Sequence, residues 1–212
     1  MRRKRDRSRL LDVDEAVKRL RAGAVVAYPT ETFFGLGVDA MNPDAVETLR
    51  QLKGRGRKPI SVIIANRDML SRVTPPLPAA GDNLARAFWP GPLTLIVEAR
   101  DTLPLNLRAN GWTVGVRVSS HIVASALSTG VGGPITSTSC NFAGEEEPTR
   151  PEHIDPQLLA QLAGVVEGVT PGGLSSTIVD VTGEVPMLIR QGVISLQRLR
   201  EVVAQIERGT VT

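Results

Sequence analysis

Short, largely apolar runs recur along the chain and alternate with segments of helical periodicity. A strand that is apolar on both faces needs packed layers on each side of its sheet. We predict strands at 24–28, 60–65, 93–98, 114–118, 134–137, 165–167, 177–181 and 187–189. Helices are predicted at 12–22, 43–52, 79–88, 120–129, 157–163 and 195–207. This alternation predicts the α/β class, with helices packed around one twisted sheet.

Composition excludes several classes of protein. Aromatic residues make up only 3% of the chain, so Val, Leu, Ile and Ala must build the core. The single cysteine, Cys140, excludes a disulfide framework and a multi-thiolate zinc site. The two histidines, His121 and His153, are too few for a histidine-rich metal centre. Since no apolar run approaches the roughly 20 residues that span a bilayer, we predict a soluble, cytoplasmic protein without a membrane partner.

The positive charge is concentrated at the N-terminus. The chain carries a net charge of +3, yet residues 1–9 alone carry +5. We therefore predict that residues 1–11 form a basic, disordered tail, with an RNA-binding arm as the alternative. Because no linker of low complexity divides the rest, residues 12–212 are predicted to form a single domain.

A second group of cations lies within the chain, at the end of the helix predicted from residue 43. Close like charges cost least when an anion such as a polyphosphate lies among them, although cations also suit a solvated helix C-terminus. Five cations fall within nine residues, and no acidic residue lies among them: Arg50, Lys53, Arg55, Arg57 and Lys58.

Short polar side chains cluster in the segments that follow the predicted strands. Such segments lie at strand ends, where ligands of α/β proteins bind. Together they predict a cleft with cations at one end and neutral donors at the other, although a hydroxyl-rich turn, or a buried ion pair of Arg117, would also explain them. The groups are Thr30, Glu31 and Thr32, in the predicted loop 29–37; Thr113, Arg117, Ser119 and Ser120; Thr136 to Ser139 with Asn141; and Ser175 to Thr177 with Arg190.

Familiar nucleotide and hydrolase signatures do not account for this cleft. Gly35, Gly37 and Ala40 match the spacing G-x-G-x-x-A, but the next helix begins too late and no acidic residue follows at the required distance. The sequence has neither a Walker-type phosphate loop nor a G-x-S-x-G elbow. The acidic run 145–147 could hold magnesium, but a solvated loop is the favoured interpretation.

Seven stretches, in order, resemble the YrdC/TsaC family of threonylcarbamoyl-AMP synthases. They are YPTETFFGLG at 28–37, LKGR at 52–55, FWPGPLTLIV at 88–97, VGVRV at 114–118, PITSTSCNFAG at 134–144, SSTIVD at 175–180 and IRQG at 189–192. The family signature K-x-R and S-x-N falls on Lys53, Arg55, Ser139 and Asn141. The resemblance implies a YrdC-like twisted mixed sheet flanked by helices, with a large concave cleft, in the short single-domain form.

The resemblance also implies an activity. Enzymes of this family join L-threonine, bicarbonate and ATP into threonylcarbamoyl-adenylate and pyrophosphate. The product supplies threonylcarbamoyladenosine modification of tRNA, so downstream transfer enzymes, and a contact with tRNA, are implied as partners. Magnesium is expected to accompany the polyphosphate, without a protein ligand evident from the sequence.

Residue roles follow from the same resemblance. Lys53, Arg55, Ser139 and Asn141 are the expected catalytic residues. ATP would be bound by these four together with Lys58, Thr113 and Arg190. L-Threonine would be bound by Thr30, Thr32, Arg117, Ser137 and Ser176. The chain departs from the family where Phe34 and Ile63 replace a tyrosine and a histidine, and where the basic loop is one residue short.

Two other functions remain open at this stage. The chain could be an RNA-binding module that uses the cationic cleft without catalysis, although no aromatic-rich strand for base stacking is visible. It could also be a carbamoyl-adenylate domain that acts on another substrate, as in hydrogenase maturation.

Overall fold

The computed structural model describes residues 9–54 and 59–208, and within them eleven strands form one mixed sheet. The strands are β1 (Leu10–Leu11), β2 (Val26–Pro29), β3 (Phe34–Gly37), β4 (Ser61–Ile64), β5 (Leu93–Glu98), β6 (Thr113–Val118), β7 (Ile135–Ser139), β8 (Gly164–Val166), β9 (Thr177–Asp180), β10 (Met187–Arg190) and β11 (Glu207–Arg208). Their order across the sheet is β1-β8-β2-β3-β7-β4-β6-β5-β9-β10-β11, with parallel and antiparallel neighbours. The predicted α/β class, a mixed sheet flanked by helices, is confirmed.

Six α-helices accompany the described strands, and two short 3-10 turns lie at Arg67–Arg72 and Pro151–His153. The helices are α1 (Val13–Arg21), α2 (Pro43–Lys53), α3 (Ala79–Phe88), α4 (Ile122–Val131), α5 (Pro156–Ala160) and α6 (Leu196–Arg200). None of the helices in the described ranges is long and apolar enough to cross a membrane.

The ends of α2 are fixed by local sequence, and its last residue is Lys53. The side chain of Asn42 caps the helix by accepting hydrogen bonds from the backbone N–H groups of Asp44 and Ala45, at 3.0 and 3.1 Å. Gly54 ends the helix in the left-handed conformation, with φ of 56°, which glycine adopts without steric cost. The sequence therefore determines where the Lys53 side chain leaves the helix.

The stretch 29–37, predicted from its glycines and hydroxyls to be a loop, contains strand β3 instead. Gly35 and Gly37 face the ring of Tyr28 on the neighbouring strand β2. A Cβ atom on Gly37 would lie 2.7 Å from Tyr28 Cε1, so glycine is required there for close packing rather than for flexibility. The prediction of a loop was wrong because it interpreted these glycines as chain breakers.

Several other element boundaries also differ from the sequence prediction. Strand β7 continues to Ser139, two residues beyond its predicted end, and α6 ends at Arg200 rather than at 207. Strand β1 lies inside the stretch 1–11 that was assigned to a tail, and it pairs with β8. Arg9 also donates hydrogen bonds to the carbonyls of Leu159 and Leu162, at 2.6 and 3.2 Å. Regular structure thus begins before residue 12, and residues 1–8 lie outside the described residues.

The two faces of the sheet are covered unequally. One face packs against α2, α3 and α6 in a large apolar core that includes Leu49, Leu84 and Leu199. The other face packs against α1 and α4 in a smaller cluster around Leu20 and Leu127. This second cluster takes side chains from β2, β4, β7 and β8 but none from β5, β6 or β9. The part of the second face that none of the described helices covers contains the candidate site.

Candidate functional site

A cavity of about 170 Å³ lies against the uncovered part of the sheet. Hydroxyl side chains dominate its walls, and two guanidinium groups and one carboxylate complete its described polar lining. The lining residues are Thr30, Thr32, Phe33, Phe34, Gly35, Pro59, Ser61, Val62, Thr94, Arg117, Ser137, Thr138, Ser139, Glu147, Ser175, Ser176, Ile178 and Arg190. The large concave cleft that the resemblance implies stays a prediction.

Strand register explains why the sheet leaves space at this point. Ser61 pairs with Ser137 across β4 and β7, and the next position in the same row, on β6, is Gly115. A Cβ atom on Gly115 would lie 2.5 Å from Ser61 Oγ and 3.2 Å from Thr94 Cγ2. Because cross-strand neighbours share one face of a sheet, small residues here form a low floor. The cavity therefore follows from residue size at a few registered positions.

Arg117 lies at the end of β6 on the same face as this floor. Its guanidinium forms a buried ion pair with Glu31, with Nη1 3.3 Å from Oε1, and the two side chains are 7% and 11% exposed. Nη2 also donates to Ser137 Oγ at 3.4 Å. Ser119 Oγ donates to the other carboxylate oxygen of Glu31. Arg117 is thus both a wall of the cavity and part of an ion pair, the two interpretations that the sequence left open.

The loop after β2 is held by its own hydroxyl groups. Thr30 Oγ1 donates to the carbonyl of Phe33 at 2.8 Å and accepts from the backbone N–H of Thr32 at 3.2 Å. Because the Thr30 proton is directed at Phe33, the Thr32 hydroxyl donates to Thr30 Oγ1, 3.1 Å away. These bonds fix the Thr32 hydroxyl at the cavity wall.

The opposite wall is built where β9 begins and β10 ends. Arg190 Nη2 donates to the carbonyl and the hydroxyl of Ser176, at 3.0 and 3.2 Å. Thr94 Oγ1 donates to Ser176 Oγ at 3.1 Å. A Cβ atom on Gly192 would lie 1.9 Å from the Ser175 carbonyl, so the segment after Arg190 packs directly on this turn. Ser176 and Arg190 are therefore held together at the cavity.

Lys53 joins α2 to the end of β7. Its ammonium donates to the carbonyl of Ser139 at 2.7 Å, to the carbonyl of Asn141, and to Asn141 Oδ1 at 3.3 Å. Asn141 Nδ2 in turn donates to the carbonyl of Glu145 at 2.6 Å. Lys53 and Asn141 do not line the cavity, but the Ser139 that they flank does. Lys53 thus contacts both residues of the S-x-N half of the predicted signature beside the cavity.

The structure brings most of the candidate residues together. Three of the predicted cations, Arg55, Arg57 and Lys58, lie outside the described residues. Arg50 is not among the described residues that line the cavity, and it donates to the carbonyl of Asn106 at 2.5 Å. Thr113 begins β6, four residues before Arg117, and donates to the carbonyl of Ala109 at 3.1 Å. Those that line the cavity are Thr30, Thr32, Arg117, Ser137, Ser139, Ser176 and Arg190.

Sequence reasoning missed part of the lining. Ser61 and Thr94 each interrupt an apolar run, and such an isolated polar residue in a buried strand is the signal that could have found them. Glu147 belongs to the acidic run interpreted as a solvated loop, but its carboxylate lines the cavity and accepts from Ser175 Oγ at 2.8 Å. The pairing of Glu31 with Arg117 has no signal in the sequence.

The two side chains that depart from the family are both fully buried. Phe34 is fully buried in the large core, where an added hydroxyl would need a partner. Ile63 is fully buried in the smaller cluster and pairs directly with Arg117 across β4 and β6. Ile63 therefore places an apolar side chain next to Arg117, at the position where longer relatives often have a histidine.

Ionisable groups around the cavity are perturbed mainly by burial. Burial raises the pKa of Tyr28, which stays protonated and donates to the carbonyl of Thr136 at 2.8 Å. Burial raises the pKa of Cys140 to about 12, partly offset by the charge of Lys53. Burial lowers the pKa of His121, an effect that the Glu31 carboxylate opposes. None of these groups is poised as a nucleophile.

The described residues contain no group of three or more His, Cys, Asp or Glu side chains that could hold a metal ion. Magnesium usually keeps several waters and binds phosphate oxygens with one or two carboxylates. Glu147 is the one carboxylate among the described cavity residues, so it is the side chain that fits such an ion.

Comparison with known proteins gives consistent matches over most of the chain. A profile of the Sua5/YciO/YrdC family, described as telomere recombination, matches residues 18–192. Threonylcarbamoyl-AMP synthase of Bacillus subtilis (strain 168) is 38% identical over 197 residues, which are 92% of this chain and 57% of that protein. The threonylcarbamoyl-AMP synthase of Stenotrophomonas maltophilia (strain K279a) is 39% identical over 175 residues, 78% of this chain and 90% of that protein.

A solved structure agrees in architecture. The crystal structure of P. abyssi Sua5 complexed with L-threonine matches with a TM-score of 0.88 and 32% sequence identity, covering 93% of this chain and 58% of that chain. The chain therefore spans little more than half the length of the B. subtilis and P. abyssi proteins.

Proposed function

Because the chain belongs to the Sua5/YciO/YrdC family, we propose that it makes L-threonylcarbamoyl-adenylate and pyrophosphate from L-threonine, bicarbonate and ATP. The observation that carries this proposal is the cavity itself. One buried cation, Arg117, faces a floor of small hydroxyl side chains, and the Lys53 contact with Ser139 and Asn141 lies at its edge. Such a site suits a small zwitterionic substrate beside a polyphosphate.

L-Threonine would occupy the part of the cavity next to Arg117. The guanidinium would pair with the substrate carboxylate, which a planar fork of donors matches well. Hydroxyl groups on both sides offer donors and acceptors for the amine and the side-chain hydroxyl of threonine. The residues proposed to hold threonine are Arg117, Thr30, Thr32, Ser137 and Ser176.

ATP would lie across the same open face of the sheet. Gly115 leaves the face low between Arg117 and Thr113, which are four residues, or roughly 13 Å, apart along β6. The cations would neutralise the phosphates and the leaving pyrophosphate, while the side chains at the end of β7 would bind the nucleotide phosphate and the carbamate. The residues proposed for ATP are Lys53, Arg55, Lys58, Thr113, Ser139, Asn141 and Arg190.

The chemistry needs no protein nucleophile. The threonine amine adds to carbon dioxide with loss of a proton, or to bicarbonate with loss of water, and gives a carbamate. A carbamate oxygen then forms a bond to the α-phosphorus of ATP, the bond from that phosphorus to the bridging oxygen breaks, and pyrophosphate leaves. Magnesium, when bound with the polyphosphate, would help to neutralise the leaving group. The chain's own side chains position the reactants and stabilise charge, which explains the hydroxyls and cations of the site.

The product would feed threonylcarbamoyladenosine formation on tRNA through separate transfer enzymes, in the cytoplasm. A carbamic-phosphoric anhydride is reactive toward water, so holding it within the cavity would slow its hydrolysis. Direct contact of the chain with tRNA would be an additional property, independent of this reaction.

The test is pyrophosphate release by the purified full chain. We expect release that requires L-threonine, bicarbonate and ATP together, with threonylcarbamoyl-adenylate detected by mass spectrometry. Release that does not depend on threonine would favour another carbamoyl substrate. If no pyrophosphate is released and the chain binds RNA tightly, the result would contradict the synthase activity and favour an RNA-binding module.

A further inference from the structure

Glu31 is a buried carboxylate beside the cavity, and the proposed chemistry gives it no role. Its Oε1 lies 3.3 Å from Arg117 Nη1, and only 11% of its side chain is exposed. Resting on the proposed function, we propose that Glu31 is the positioning residue that holds the Arg117 guanidinium in place for the carboxylate of threonine. Glu31 would act through Arg117 and would not touch the substrate.

The geometry distinguishes the binding role of Arg117 from the positioning role of Glu31. Arg117 lines the cavity, whereas Glu31 is not among its described lining residues. Glu31 forms an ion pair with Nη1 of the guanidinium, and Ser137 Oγ accepts a hydrogen bond from Nη2 at 3.4 Å. A long side chain tethered at two points loses little further freedom when it binds a ligand. Glu31 therefore prepares Arg117 for an anion.

Glu31 is itself held from its far side. Its second oxygen, Oε2, accepts a hydrogen bond from Ser119 Oγ, and Ser119 Oγ accepts one from the backbone N–H of His121 at 3.1 Å. Oε1 is buried and makes no hydrogen bond, so its ion pair with Arg117 offsets the cost of burying that charge. The chain of contacts thus runs from the start of α4, through Glu31, to Arg117.

A buried ion pair of this kind could instead serve stability alone. The two roles differ in what they predict for ligands. A purely structural pair would leave threonine affinity unchanged in any variant that still folds, whereas a positioning residue changes the affinity for threonine more than that for ATP.

The test compares the unaltered chain with Glu31→Gln, which keeps the shape of the side chain and removes its charge. We expect the Kd and KM for L-threonine to rise about tenfold or more, with the KM for ATP within about twofold. Ser119→Ala, a milder change that should fold in any case, is expected to raise the Kd for threonine in the same direction by a smaller factor. The matched control is Glu201→Gln, which removes the exposed ion pair of Glu201 with Arg198 at 3.1 Å and should change neither constant.

L-Threoninamide, which lacks the carboxylate, shows whether Glu31 acts through Arg117. Its binding, measured by calorimetry, should be weakened by Glu31→Gln far less than the binding of L-threonine is. An equal loss for both ligands would mean that Glu31 contacts the ammonium directly and would overturn the proposal, as would unchanged threonine affinity in both Glu31→Gln and Ser119→Ala. If the unaltered chain releases no pyrophosphate, the proposed function fails. If that chain is active and threonine affinity is unchanged in these variants, only the role of Glu31 fails.

Discussion

Replacement of Gly115 by alanine should raise the cavity floor and inhibit the protein without unfolding it. The new Cβ would lie 2.5 Å from Ser61 Oγ and 3.1 Å from Ser61 Cβ. Rotation of Ser61 can move its hydroxyl but not its Cβ, so the strands must shift by a few tenths of an ångström. Overpacking of this kind lowers the free energy of unfolding by about 1–3 kcal/mol. The replacement of glycine also reduces the entropy of the unfolded chain, which raises that free energy by about 0.4–1 kcal/mol. We therefore expect the free energy of unfolding to fall by about 1–2 kcal/mol in total.

The assay combines thermal unfolding with pyrophosphate release. For a chain of this length the loss corresponds to a fall in Tm of about 2–8 °C. We expect kcat/KM for threonine to fall by about tenfold or more, because a small displacement of reacting groups is costly to the rate. Gly133→Ala is the matched control, since its Cβ would meet nothing nearer than 3.9 Å.

A second substitution distinguishes steric crowding from other effects. In Gly115→Ala combined with Ser61→Gly, both close contacts of the new Cβ with residue 61 disappear. The double variant should regain more than half of the lost Tm. If Gly115→Ala alone has the stability and the activity of the unaltered chain, the assignment of Gly115 to the floor of the site is refuted.

Three further predictions concern other parts of the molecule. Lys53→Ala removes the donor that holds the carbonyls of Ser139 and Asn141, so turnover should fall about tenfold or more. A rate near that of the unaltered chain would contradict the assignment of Lys53 to the site. Because burial lowers the pKa of His121, the unfolded chain binds a proton there more readily than the folded chain as the pH falls through 6.5, and stability is lost. Tm should therefore drop less between pH 7.5 and 5 in His121→Asn, which keeps an α4 cap acceptor; equal drops would refute this. Burial raises the pKa of Cys140 to about 12, so the native thiol should react with a thiol reagent at pH 8 far more slowly than the thiol of the denatured chain, and equal rates would show that it is accessible.

Local sequence signals determined many elements of the fold. Helix α3 and strand β5 have the predicted bounds. Pro78 precedes the helix, and the segment 89–92, with two prolines and a glycine, separates it from the strand. Asn42 and Gly54 mark the two ends of α2 in the same way. Such elements are predictable because their limits depend on residues within one turn of the chain.

Elements that depend on distant partners were not predictable from local signals. The glycines of β3 are explained by the ring of Tyr28 on the neighbouring strand, and the two-residue strand β1 exists only through its pairing with β8. Periodicity carries no information about strand order. The low floor of the cavity depends on strand register, which places Ser61, Ser137 and Gly115 side by side, so it could not be predicted from local sequence.

The candidate site was predictable as a set of residue types but not as an arrangement. Hydroxyl and cationic residues after strands predicted a site at the strand ends, since ligands of α/β proteins bind there. The cavity is lined in addition by residues within strands, among them Ser61, Thr94 and Ser137. What those residues contact is a long-range property. Arg117 and Glu31 are far apart in sequence, and their ion pair results from the meeting of the loop after β2 with the end of β6.

A crystal soaked with L-threonine and ATP tests the proposed site most directly. We expect density for threonine in the cavity, with its carboxylate within hydrogen-bonding distance of the Arg117 guanidinium and its amine facing the nucleotide phosphates across the floor at Gly115. Threonine bound elsewhere on the molecule while this cavity stays empty, or a carboxylate directed away from Arg117, would contradict the assignment of the site.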